Sequence, residues 1–204
     1  MTNKMPDSTL QETNRRKAPA REYLTKFIAT LAEEFQNVHP RLLIANLIFA
    51  PLPPFVGGRL RTFGLRAAGF DIGRGSLFWG MPTITGPGKI ASRLHIGEEC
   101  LFNIGCVFDL TGSIAIGHRV GVGHQVLIMT GSHQIGSRAC RAGELTTAPV
   151  TIEDGAWIGS RSIILPGVTI GAGAVIGAGT LVSRDIPADM LISGEQRISL
   201  AKWR

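Results

Sequence analysis

Large apolar residues recur at every sixth position along most of this chain. Ile72, Phe78, Ile84, Ile90, Ile96, Phe102, Phe108 and Ile114 keep that spacing, and after a two-residue slip the series resumes at Ile116, Val122 and Ile128. It returns in the same phase at Ile152, Ile158, Ile164, Ile170, Ile176 and Val182. Glycine often follows one step later (Gly73, Gly97, Gly117, Gly123, Gly159, Gly171, Gly177). Small residues hold the fourth step: Ser76, Cys100, Cys106, Ala156, Ser162, Ala174 and Thr180. A period of six suits neither an α-helix nor an alternating strand. It predicts a parallel β-helix in which each hexapeptide forms one short side of a coil. The apolar residue then points inward, Gly permits the corner conformation, and the small residue fits a crowded turn. Stacked coils bury one continuous core and bond strand to strand along the axis.

The pattern is different before Phe70. Leu24, Phe27, Ile28, Leu31 and Phe35 fall on one face of a helix that the spacing predicts over residues 21–38, closed by Pro40. Further helices are expected over Arg41–Phe49, ended by a proline cluster, and from about Gly58 to Ala68. Residues 133–149 interrupt the repeat with polar and charged groups while its phase is kept, which predicts a loop extruded from a continuous coil. The expected divisions are a disordered tail over 1–20, a helical segment over 21–69, the β-helix over 70–186 with its loop at 133–149, and a C-terminal tail over 187–204.

Composition agrees with stacked short strands: 26 glycines and only 6% aromatic residues fit tight corners better than a helical bundle. The formal charge is +6, and roughly half of the Lys and Arg precede residue 75. That excess reads as a solvated basic N-terminal region or as attraction to an anionic membrane surface or phosphate-bearing ligand. No aromatic-interleaved basic stripe accompanies it, so nucleic acid is not expected as a partner. Three cysteines without a CxxC spacing suggest reduced thiols rather than a disulfide framework or zinc site, and a cytoplasmic location. No secretory signal is read at the N-terminus. The apolar run from Leu42 to Val56 is broken by Pro51, Pro53 and Pro54; it is too short to cross a bilayer, yet it suits a membrane surface.

Three stretches carry more than fold. Met129-Thr130-Gly131-Ser132-His133 stands at the base of the loop, Pro149 to Ser160 follows it with Trp157-Ile158-Gly159, and Ile164-Leu165-Pro166-Gly167-Val168-Thr169-Ile170-Gly171 comes next. Together they resemble the hexapeptide-repeat O-acetyltransferases, among them the galactoside, maltose, nodulation-factor and colanic-acid-type enzymes. The resemblance spans about Phe63 to Arg184, and the turn from Leu65 to Gly73 looks most like the exopolysaccharide branch. It implies an all-β, left-handed parallel β-helix, a handedness the period alone does not supply, since parallel crossovers are ordinarily right-handed.

The resemblance also assigns roles. His133 is the expected catalytic base, because an acceptor hydroxyl must lose its proton as it attacks a thioester and a neutral imidazole can take it. Trp157 and Ser160, expected one coil beyond, would shape the site and offer a backbone N–H to the oxyanion. Ala178 would meet the pantetheine arm, and Ser183 and Arg184 the nucleotide end of the coenzyme. On the acceptor side, Asn103 would bond a sugar hydroxyl, Asp109 would orient base or substrate, and Arg141 with Arg138 would contact an acidic or phosphorylated acceptor. His39, His95, His118 and His124 lack this context and read as structural or solvent-facing. The family usually closes with Gly-x-Pro-Ala and a basic residue; here Gly194-Glu195-Gln196-Arg197 stands instead, which bears on the adenine-end contacts.

The expected activity is transfer of an acetyl group from acetyl-CoA to a saccharide hydroxyl in exopolysaccharide or other surface-glycan synthesis. A homotrimer with no metal is implied, cytoplasmic or at the inner membrane face, with peripheral contact through the N-terminal helices. Two other readings share the scaffold: N-acetylation of an amino sugar or other amine, and a non-catalytic trimeric scaffold. A γ-class carbonic anhydrase would need three imidazoles around zinc, a spacing these histidines do not resemble.

Overall fold

In the computed structural model, residues 25, 27–30, 37–194 and 196–199 are described. The chain divides into two compact units, Met1–Gln36 and Asn37–Arg204. In the first, Thr25 and Phe27–Thr30 are helical; residues 21–24, 26 and 31–36 of the helix expected over 21–38 lie outside the described residues, as does the tail over 1–20. Asn37 and Val38 are not helical.

The second unit opens with two helices, α1 (Pro40–Phe49) and α2 (Gly58–Ala67). A parallel β-helix follows, built on three sheets. The first sheet stacks Asp71–Ile72, Leu94–Ile96, Ile114–Ile116, Val150–Ile152 and Thr169–Ile170. The second runs from Leu77–Phe78 through Leu101–Phe102, Gly121–Val122, Trp157–Ile158 and Val175–Ile176 to Met190–Ser193. The third stacks Thr83–Thr85, Val107–Asp109, Leu127–Ile128, Ile163–Ile164 and Leu181–Val182. The hexapeptide residues align rung on rung, as in Ile158 between Val122 and Ile176. Their side chains fill the shaft: Phe78 stacks on Phe102 at 4.5 Å between centroids, Phe102 meets Phe108 edge-on, and Ile, Val and Leu fill the remainder.

The structure corrects several details. Ile90 keeps the six-residue spacing but begins a 3₁₀ turn (Ile90–Arg93), so the first coil carries an inserted corner and Ile96 takes the next inward place. The two-residue slip is likewise a widened corner, because Ile114 and Ile116 both face inward from one strand. Glycines one step after the apolar residue do not have positive φ. They permit close approach instead: a Cβ on Gly97 would sit 2.5 Å from the Gly117 carbonyl oxygen, and one on Gly159 would sit 2.5 Å from Ala178 N. The left-handed backbone falls two residues later, at Gly75, Gly105, Gly155, Gly173 and Gly179, and also at Glu99, Arg119, Gln125 and Arg161. The fourth-step residues are buried, and two of them are cysteines; burial pushes the Cys106 thiol up to about 12, so it serves as packing rather than as a nucleophile.

Neither end of the stack is bare. At the N-terminal end, Arg66 donates to the Ile72 and Gly73 carbonyls at 2.8 and 2.5 Å, and the Thr62 hydroxyl donates to the Ser76 carbonyl at 3.0 Å. Arg61 is 1% exposed and, among the described residues, has no carboxylate partner; its guanidinium donates to the carbonyls of Leu52, Pro53, Val56 and Trp79. At the other end, residues expected to form a tail make a further rung. Met190–Ser193 pairs in parallel with Val175–Ile176, and Gln196–Ser199 folds back on it antiparallel through Gly194 at φ 56°.

Candidate active site

Residues 131–147 form a hairpin rather than an irregular loop. Gly131–Ile135 pairs antiparallel with Ala142–Thr147, with His133 opposite Leu145. The hairpin leaves the coil between the third and first sheets, and Asp109 of the rung below holds its base. One Asp109 carboxylate oxygen accepts from Thr130 N–H and Gly131 N–H at 3.1 and 2.8 Å, and the other from the Thr111 N–H and hydroxyl at 3.0 and 2.5 Å. Thr130 adds a hydroxyl bond to the Asp109 carbonyl at 2.6 Å and accepts from Gly112 N–H at 2.6 Å. Burial raises the Asp109 pKa, but the bonds from Thr111, Gly131 and Thr130 outweigh it and hold the carboxyl below its ordinary value.

His133 Nδ1 lies 2.8 Å from the Gly143 carbonyl oxygen on the facing strand. A carbonyl only accepts, so Nδ1 carries the proton and Nε2 the lone pair. Among the described residues Nε2 has no hydrogen-bond partner. His133 lines an open hollow of about 500 Å³ with Asp109, Thr111, Met129, Gly131, Ser132 and Leu145. Such a ring, fixed on one side and free on the other, can accept a proton from a bound hydroxyl.

The other sequence-derived residues stand elsewhere on the coil. Asn103, Ser160 and Ala178 lie at the corner between the second and third sheets. There Asn103 Nδ2 donates to the Val122 carbonyl at 3.3 Å, and Gly179 N–H donates to the Ser160 carbonyl at 2.8 Å. The Ser160 hydroxyl accepts from His124 N–H at 3.1 Å. Trp157 projects from the second sheet and is 60% exposed, although Gly121 and Val175 pair with it on either side. Ser183 and Arg184 share the corner of Asp109 but sit three rungs along, roughly 14 Å at ~4.8 Å per rung. They line an open hollow of about 540 Å³ with Leu181, Ile192 and Gly194. Arg138 and Arg141 are exposed at the hairpin tip, where Arg141 donates to the Gly136 carbonyl at 3.2 Å. Within one chain, therefore, His133 and the Trp157–Ser160 group do not share a hollow.

Asp109, expected to orient base or substrate, lines the same hollow as His133, and its oxygens are occupied by the hairpin base. In the sequence, Thr130 stands in the loop-base stretch with no role assigned and Thr111 is not singled out, although Asp109-x-Thr111 is a readable side-chain-to-backbone turn signal. The remaining histidines have local partners: His39 bonds the Gly86 carbonyl, His95 pairs with Asp71, His118 accepts from Glu98 N–H, and His124 rests by Phe55. Among the described residues no three His, Cys, Asp or Glu are grouped to hold a metal ion.

A coil of hexapeptide rungs with a histidine-bearing hairpin defines a class, and comparison with known proteins agrees with it. Residues 149–184 match the family described as bacterial transferase hexapeptide (six repeats). A putative acetyltransferase of Schizosaccharomyces pombe is 41% identical over 102 residues, covering 50% of this chain and 49% of that protein. Galactoside O-acetyltransferase of Escherichia coli is 38% identical over 105 residues, covering 50% and 51%. The chain thus spans about half the length of the curated relatives it matches. The crystal structure of a hexapeptide-repeat-containing acetyltransferase from Vibrio cholerae, complexed with acetyl coenzyme A, superposes with a TM-score of 0.66 at 26% identity, covering 78% of this chain and 84% of that one. The family resemblance and the β-helix read from the residues are both borne out.

Proposed function

We propose that this chain is an acetyl-CoA-dependent O-acetyltransferase acting on a sugar or saccharide hydroxyl, in the synthesis of an exopolysaccharide or other surface glycan in the cytoplasm. The observation that carries the reading is the Nδ1–H bond from His133 to Gly143, which leaves Nε2 as the base. The acceptor oxygen attacks the thioester carbonyl carbon while Nε2 takes its proton. The C–O bond forms, the C–S bond breaks, and the imidazolium returns the proton to the departing thiolate. Ser160 N–H steadies the oxyanion and Trp157 walls the site, while Ala178, Ser183 and Arg184 run along the coenzyme. Asn103 and Arg141 face the acceptor, and Asp109 fixes the hairpin that holds the base.

Because one chain divides these residues between two corners, the complete site is a cleft between copies of a homotrimer. The hairpin of one copy closes on the Trp157 corner of the next. Isothermal titration of acetyl-CoA, with Arg184→Ala alongside, tests the donor; micromolar binding weakened in the variant is expected, and no binding would point to a scaffold. A panel of hydroxyl and amine acceptors then tests the chemistry, and turnover of amines alone would replace O-transfer with N-transfer.

A further inference from the structure

The helices ahead of the coil present an apolar surface that the acetyl-transfer reading leaves unused. In α1 only Leu42 and Ala45 are buried. Ile44, Leu47 and Ile48 are exposed, as are Phe55 in the connection and Leu60 and Phe63 on α2. Ile44, Ile48 and Phe63 border a cleft of about 230 Å³ between the two helices. A helix that is apolar nearly all round is normally enclosed by protein or lipid. Contiguous exposed apolar patches of this kind mark interaction sites.

Charge decides what covers it. From Asn37 to Phe70 the chain has four arginines and no Asp or Glu. Arg61 is spent inside the fold, whereas Arg41 and Arg59 are exposed. We propose that α1 and α2 form a docking surface for an anionic bilayer. The apolar side chains enter the boundary between headgroups and acyl chains, and Arg41 and Arg59 lie against lipid phosphates. At ten residues α1 is about 15 Å long, half the hydrocarbon thickness, so it lies in the interface and does not cross it. No helix among the described residues is long and apolar enough to span a membrane. A second copy of the same face fits less well, because it would set arginine against arginine with no intervening carboxylate.

Vesicle flotation of the full chain tests this. Vesicles of phosphatidylcholine alone are compared with vesicles containing roughly 30 mol% phosphatidylglycerol, at low and high salt. Binding to the anionic vesicles, weakened by salt, is the expected result. Arg41→Ala with Arg59→Ala should lower the partition roughly 25-fold, taking about fivefold for each basic residue. Leu47→Asp with Phe63→Asp should abolish it. Unchanged melting curves and acetyl-CoA titration show that the variants remain folded. The proposal is overturned if folded protein ignores anionic vesicles, or if the Asp variant still binds them. It is equally overturned if the Asp substitutions abolish self-association in a protein that does not bind lipid.

Discussion

Strands in the middle of the coil are bonded above and below by neighbours of the same kind, whereas the hairpin over residues 131–147 bonds to itself and to a single carboxylate beneath it. In the coil, Ile158 is fully buried and its place is repeated rung after rung; in the hairpin, Ile135 and Leu145 are exposed. A repeating stack shares each stabilising contact with the next, so one residue there is both supported and constrained by two others. The hairpin has no such redundancy, and its geometry hangs on Asp109 and Thr130. The proposed base sits on an exposed hairpin, held by a few polar bonds to the buried coil.

The largest effect that would sharpen this contrast is on turnover. His133→Ala should lower kcat by about 10³-fold, within the range of a lost general base, with an unchanged melting temperature. Retained activity would remove His133 as the base. Gly159→Ala strikes the coil instead: its Cβ meets Ala178 N at 2.5 Å, and overpacking of this kind should cost about 2–3 kcal/mol in a denaturant titration. A melting curve that did not move would show that adjoining coils can part freely.

Asp109→Ala should loosen the hairpin while sparing the stack. Losing a carboxylate that accepts four bonds should reduce kcat by roughly 10–100-fold through misplacement of the base. Amide exchange should quicken at Thr130 and Gly131 and stay slow at Ile158. The same carboxyl sets an acid limit. Because folding lowers its pKa, its stabilisation is fully present above the ordinary value of 3.8 and is lost as pH falls through the lower folded value. Hairpin amide exchange should therefore accelerate below about pH 3.8 in the native protein and lose that pH dependence in Asp109→Asn. The smallest effect is expected at Arg161, a non-glycine residue at φ 60°. Arg161→Gly relieves left-handed strain but frees the unfolded chain, so stability should change by less than ~1 kcal/mol.

Much of this could be read before any coordinates. The six-residue period reports burial, and burial is what coils share, so the residues from Ile72 to Val182 disclosed the shaft directly. The period misled at Ile90, where an inserted corner happened to keep phase, because spacing counts residues and not rungs. Glycine was recognised but misread: close approach and positive φ favour the same residue, and only coordinates separate Gly97 from Gly75. His133, the proposed base, was legible through its flanking resemblance, while its Gly143 partner was not. A backbone carbonyl has no residue type to recognise, and hairpin pairing follows from register. The last rung at Met190–Ser193 escaped because Ile192 falls ten positions after Val182, outside the period.

The closed ends of the stack have a consequence of their own. A row of parallel strands ends in two raw edges, each a template on which another chain could extend the sheet. Here Arg66, Thr62 and Arg61 occupy first-coil carbonyls, and the antiparallel turn through Gly194 covers the last strand of the second sheet with the chain's own backbone. In the second sheet the parallel ladder therefore ends in a strand of opposite direction, which offers an added parallel coil no matching edge.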